Sequence, residues 1–181
     1  MDGYDQSIYL SIETDSFSLD QDWLAHQAER ICQLLKVDHL ELSIRFVDQE
    51  EIINLNRRFR EKDSSTDVLS FPQISWQKQP ELGLNEHDFS KNNLNSDSVP
   101  TMLGDVVISV IDAQKNATEI GQSLEAEILF LMVHGILHLC GYDHQIPIDE
   151  QKMLQQQTMI INSLSSNQQK SAGEPLMQGI N

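Results

Sequence analysis

The chain has 181 residues, 39% of them hydrophobic and 22% charged, enough for one globular domain with a sizeable core. A formal net charge of −16, from 12 basic against 28 acidic residues, argues against a surface that coats nucleic acid broadly, because phosphate affinity comes chiefly from Lys and Arg. Cys32 and Cys140 make no disulfide framework, the start at Met1-Asp2-Gly3 carries no secretory signal, and the longest apolar run falls far short of the roughly 20 residues of a membrane span, so a cytoplasmic protein without membrane association is expected.

Ile8 to Ile12 alternates as a half-buried strand does. Asp20 to Lys36 reads as an amphipathic helix with Leu24, Ala28, Ile31, Leu34 and Leu35 on one face. Leu40 to Phe46 alternates again and forms a second strand. Asp48 and Glu51 are spaced as a capping box, and the helix they open turns Ile52, Leu55 and Phe59 inward. At its end Arg57, Arg58, Arg60 and Lys62 gather four of the 12 basic residues, either as a solvated face closing on a favourable basic last turn or as a local phosphate site.

Asp67 to Phe71 is a third strand, closed by Pro72. Residues 73–100 dissolve into Asn, Ser, Asp, Gln and Pro and read as a polar surface insertion. Gly104 to Val110 is apolar enough for a strand buried on both faces. Asp112 to Ile120 follows as a short helix. Residues 1–164 are expected to form the domain, with 165–181 a disordered Ser/Gln/Asn/Gly-rich tail. The fold class is α+β: a single domain with a central mixed sheet of about four strands covered by four to five helices.

The chemistry is concentrated after Ser123. Acidic residues fill the first turn of a helix there, where its dipole favours them, and Ile128 to Val133 is apolar almost all round, as in a buried central element. Into that helix the sequence places His134 and His138, one turn apart on a single face. Gly141 ends the helix and His144 follows the turn. Three neutral imidazoles leave a tetrahedral zinc ion one open position, the arrangement that separates catalytic from structural zinc; bound water there would ionise near neutral pH. Nickel or another divalent ion also suits these ligands. Packing alone is a poor explanation, since burying imidazoles without partners is costly. Asp143 beside the site either orients a ligand or is an exposed turn residue.

The spacing His-x3-His-x2-Gly-x2-His is also that of metzincin proteases, but the glutamate that serves them as general base is replaced by Gly135. Ordinary zincin proteolysis is therefore excluded, while the ion site is kept.

The run His134-Gly135-Ile136-Leu137-His138-Leu139-Cys140-Gly141-Tyr142-Asp143-His144 resembles the signature of the YbeY family, bacterial metal-dependent endoribonucleases linked to ribosomal RNA maturation. Asn56 to Asp63, Thr66 to Pro72 and Leu103 to Ser109 resemble that family's further blocks. The resemblance implies one Zn²⁺ per chain on His134, His138 and His144, and hydrolysis of single-stranded RNA in 16S rRNA 3′-end maturation and 70S ribosome quality control. It also implies Arg60 as the catalytic arginine, which would bind phosphate. Arg57, Arg58, Ser70 and Asp105 are candidate substrate-binding residues, and ribosomal proteins or a GTPase are candidate partners. Hydrolysis of another bond, or a non-catalytic assembly module stapled by zinc, are the competing expectations.

Overall fold

The computed structural model describes residues 8–75 and 102–171. Most of the expected 73–100 insertion lies outside the described residues, as do residues 172–181 of the expected tail.

The elements run β1 (Ile8–Glu13), α1 (Gln21–Leu35), β2 (Glu41–Val47), α2 (Gln49–Arg60), β3 (Val68–Pro72), β4 (Met102–Ser109), α3 (Val110–Ile120), α4 (Leu124–Leu139) and α5 (Pro147–Ser171). The strands make one mixed sheet in the order β1-β2-β4-β3. β1, β2 and β4 are parallel, and β3 lies antiparallel to β4 with Ser70 opposite Val106. This is the expected α+β architecture, four strands with five helices.

Strand alternation sorts side chains onto two faces. Leu42, Ile44, Phe46, Val106 and Ile108 point into the main core, packed with Leu24, Ile31, Leu131, Met132 and Ile136 from the helices. Val47, Leu69 and Val107 point the other way, onto Ile52 and Leu55 of α2. Thus α2 and α4 cover opposite faces of the sheet. β4 is buried on both, as its apolar run led one to expect.

Phe59 of α2, expected to turn inward, is instead 55% exposed, and two further local expectations change. Asp48 is the N-cap residue of α2 but its side chain makes no cap hydrogen bond. Its carboxylate instead accepts from the hydroxyls of Thr14 and Ser16, while Glu51 turns to Arg45 at 3.2 Å. The capping box is therefore not formed, because partners brought in by β1 and β2 compete for both carboxylates. Second, α5 continues to Ser171, past the start expected for the tail. No Gly or Pro interrupts residues 148–171, so a polar run there is free to stay helical. No single helix among the described residues is long and apolar enough to cross a membrane.

Candidate metal centre

Helix α4 carries the site, and three features seat it. Ser123 caps its start, accepting from the Ala126 amide at 3.2 Å. Near that end Glu127 is buried and receives Asn116 Nδ2 at 3.3 Å and the Gln122 amide; Asn116 Nδ2 also donates to Asp67 Oδ2 at 3.0 Å. The turn between α2 and β3, helix α3 and helix α4 are so tied together. In the middle, Gly135 lets α4 lie directly on the sheet: a Cβ there would come within 2.6 Å of Val106 Cγ1. Ser70 Oγ donates to the Gly135 carbonyl at 3.1 Å and fixes that contact.

At its C-terminus α4 closes in a Schellman motif. Gly141 takes φ 86°, its amide donates to the His138 carbonyl at 3.0 Å, and the Tyr142 amide donates to the Leu137 carbonyl at 3.1 Å. The chain is thereby reversed at once, and His144 is delivered beside the helix. Asp143 holds the next step of the loop, its Oδ1 accepting from the His144 amide at 2.7 Å.

The three rings converge. Their centroids are 4.7 Å apart for His134 and His138, 5.1 Å for His138 and His144, and 5.8 Å for His134 and His144. One nitrogen from each lies within 4.8 Å of the other two. His134 and His138 are mostly buried, and His144 is exposed at the mouth.

The tautomers follow from the neighbours. His138 Nδ1 lies 3.0 Å from the Tyr142 carbonyl, which can only accept, so Nδ1 carries the proton. His134 Nδ1 donates to Gln157 Oε1 at 3.3 Å, and the same Gln157 donates through Nε2 to the Phe130 carbonyl at 3.3 Å, which orients its amide. Both Nε2 atoms therefore present lone pairs, and they face each other 3.2 Å apart. Two bare acceptors at that distance repel unless a cation lies between them. Two tetrahedral zinc–imidazole bonds of about 2.1 Å would set their nitrogens about 3.4 Å apart, so the donor set fits a zinc-sized ion. Burial also lowers the pKa of both rings, assisted at His134 by the charge of His144 and at His138 by the charges of His134 and His144; His138 falls to about 4. Rings held neutral are what metal ligation requires. Cys140, close by in sequence, is wholly buried and its thiol pKa is pushed up by burial, so it stays a core thiol.

The remaining residues singled out from the sequence lie on α2, β3 and β4. Arg57 is bound to Asp63 through Nε at 3.0 Å and through its terminal nitrogen. Arg58 stacks its guanidinium over the Phe59 ring at 5.2 Å. Arg60 ends α2, is exposed, and makes no ion pair among the described residues. All three rise from the helix on the sheet face opposite α4. Ser70 sits under α4 as its anchor, whereas Asp105, one residue before Val106, points to the face of α2. Gln157 was not foreseen: it is one glutamine in the run Gln155-Gln156-Gln157, and since Gln156 is buried as well, only its hydrogen bonds to His134 and to the Phe130 carbonyl mark it out.

Fold and site together define a single-domain α+β protein with a three-histidine group able to hold a metal ion. The family model for Endoribonuclease YbeY matches residues 9–165. Endoribonuclease YbeY of Staphylococcus aureus strain JH9 is 42% identical over 126 residues, covering 70% of this chain and 74% of that protein. The protein of strain Newman matches to the same extent. The solution structure of TM1509 from Thermotoga maritima aligns with a TM-score of 0.56 and 22% identity over 96% of this chain and 99% of that one, a likeness of fold. The chain belongs to the endoribonuclease YbeY family.

Proposed function

We propose that the protein is a metal-dependent endoribonuclease acting on single-stranded RNA, with one Zn²⁺ held by His134, His138 and His144. The observation that carries this reading is the convergence of three imidazoles, the two on α4 held toward the neutral form by burial, in a member of an endoribonuclease family. Bound there, such an ion supplies Lewis-acid polarisation of a phosphoryl oxygen and a water acidified toward neutral pH.

The chain's own residues supply the rest. Gln157 and the Tyr142 carbonyl hold the two helical rings in one tautomer and one orientation. Arg60 binds phosphate and offsets charge that develops on it in the transition state, and Arg58 offers a second exposed guanidinium. Arg57, engaged with Asp63, takes the smaller part. Ser70 shapes the cleft indirectly, through the helix it anchors, and Asp105 shapes the opposite face. Gly135 leaves no carboxylate at the position of the zincin general base, so peptides are poor substrates.

In this reading residues 1–164 are the catalytic domain, with the 73–100 insertion and the segment after 164 as additions to it. Its setting is the cytoplasm and its substrate 16S rRNA, in 3′-end maturation and 70S quality control, with ribosomal proteins or a GTPase as partners. Cleavage of a single-stranded oligoribonucleotide by the purified protein, before and after chelation and by His134→Ala, tests the core of it. Chelation and the substitution should each abolish cleavage. A His134→Ala protein that has lost its metal yet cleaves as well as wild type overturns the proposal.

A further inference from the structure

We infer that Phe130 is a stacking platform for one unpaired nucleobase of the RNA, set beside the three histidines. The inference rests on the endoribonuclease reading above and adds to it the group that seats the base.

Helix α4 buries its apolar side chains almost completely: Ile128, Leu131, Met132, Val133, Ile136 and Leu137 are all 2% exposed or less. Leu124 and Leu129 are partly buried, and Phe130, at 39%, is the most exposed of the helix's large apolar side chains. Single exposed apolar residues are ordinary on protein surfaces, and exposure alone would assign nothing. The placement is what distinguishes this one. Phe130 lies one turn before His134 and two before His138, hence on the face that carries the ligands. Its ring is within 14° of parallel to the His134 ring, with centroids 6.2 Å apart, the range of offset stacking. Its own carbonyl receives Gln157 Nε2, so the backbone beneath the ring is held by the same clamp that orients His134.

The charge balance points the same way. With 28 acidic residues against 12 basic ones, the chain has little capacity to gain affinity by neutralising phosphates along a strand. A base has to be held by something other than charge, and an aromatic face does this for any base because every base has a π-face. A base inside a duplex is already stacked on both sides, so the platform accepts only one that has left the helix.

The test uses metal-loaded wild type, Phe130→Leu and Phe130→Trp on a single-stranded oligoribonucleotide, with metal content and kcat and KM measured for each. Leu keeps an apolar side chain without the π-face; Trp keeps the face. Loss of one stacked base should raise KM for Phe130→Leu about 5- to 150-fold with metal content and kcat held, and Phe130→Trp should stay close to wild type. An unchanged KM for Phe130→Leu overturns the inference, as does loss of metal by that variant, which would make Phe130 a prop for His134. Failure of metal-loaded wild type to cleave RNA would instead sink the endoribonuclease reading, and the inference with it.

Discussion

Replacing Gly135 with Ala should loosen the seat of the whole site. The added Cβ would lie 2.6 Å from Val106 Cγ1, 3.2 Å from Val106 Cγ2 and 3.3 Å from Ser70 Oγ. Val106 is fully buried and β-branched, so its side chain has no rotamer to escape into and the helix must lift. Overpacking of this kind costs about 1–3 kcal/mol, partly offset by about 1 kcal/mol because Ala is the better helix former. The net loss is up to about 2 kcal/mol, or up to about 8 °C in Tm for a chain of this size. Urea denaturation of Gly135→Ala, Val106→Ala and the double variant isolates the contact: Gly135→Ala should cost less in the Val106→Ala background than in wild type. The same geometry predicts that Gly135→Glu, which restores the protease glutamate in sequence, drives a carboxylate into the sheet and unfolds the domain. If Gly135→Ala is as stable as wild type and the two substitutions are additive, the close seating of α4 on β4 is wrong.

Gln157→Leu removes the acceptor for His134 Nδ1 at nearly constant volume; metal affinity, read by competition with a chelating dye, should fall about 10- to 100-fold with the fold retained. An unchanged affinity would show that α5 does not orient the ligand. The metal-free protein should lose stability on acidification through the pH window of its histidines. His138 titrates near 4 when folded, below the ordinary histidine value of 6.5, and His134 shifts in the same direction, so the unfolded chain takes up these protons first. Stability from this source is full above pH 6.5 and drains away toward pH 4. In denaturation series across that window, His138→Asn should show a shallower slope than wild type, and an identical slope refutes the assignment.

Much of the architecture is legible in the sequence alone, because it is written in short-range periodicity. The alternation at Leu40 to Phe46 and the apolar run at Gly104 to Val110 mark strands through side-chain direction alone. The histidine pair and Gly141 likewise locate two members of the three-histidine group that could hold a metal and the turn that brings the third, since helical spacing and left-handed φ are local properties. What escaped depends on residues far apart in the chain. The insertion of β4 between β2 and β3 is a pairing choice with no local signature. The capping box at Asp48 failed because Thr14, Ser16 and Arg45 arrive from elsewhere in the chain. Ser70 and Asp105 looked equivalent as strand residues near the site, and only the β3–β4 register shows that one supports α4 while the other faces α2. Gln157 carries no motif at all; its importance comes from the packing of α5 against α4.

The central claim is that His134, His138 and His144 close on one ion. Titration of metal-free protein with Zn²⁺, followed calorimetrically, tests it most directly. Wild type should take up one equivalent per chain with release of few protons at pH 7, since His138 is already neutral there, and His138→Ala and His144→Ala should each lose that uptake. Wild type that binds no zinc, or a His144→Ala variant that binds it as tightly as wild type, would contradict the account.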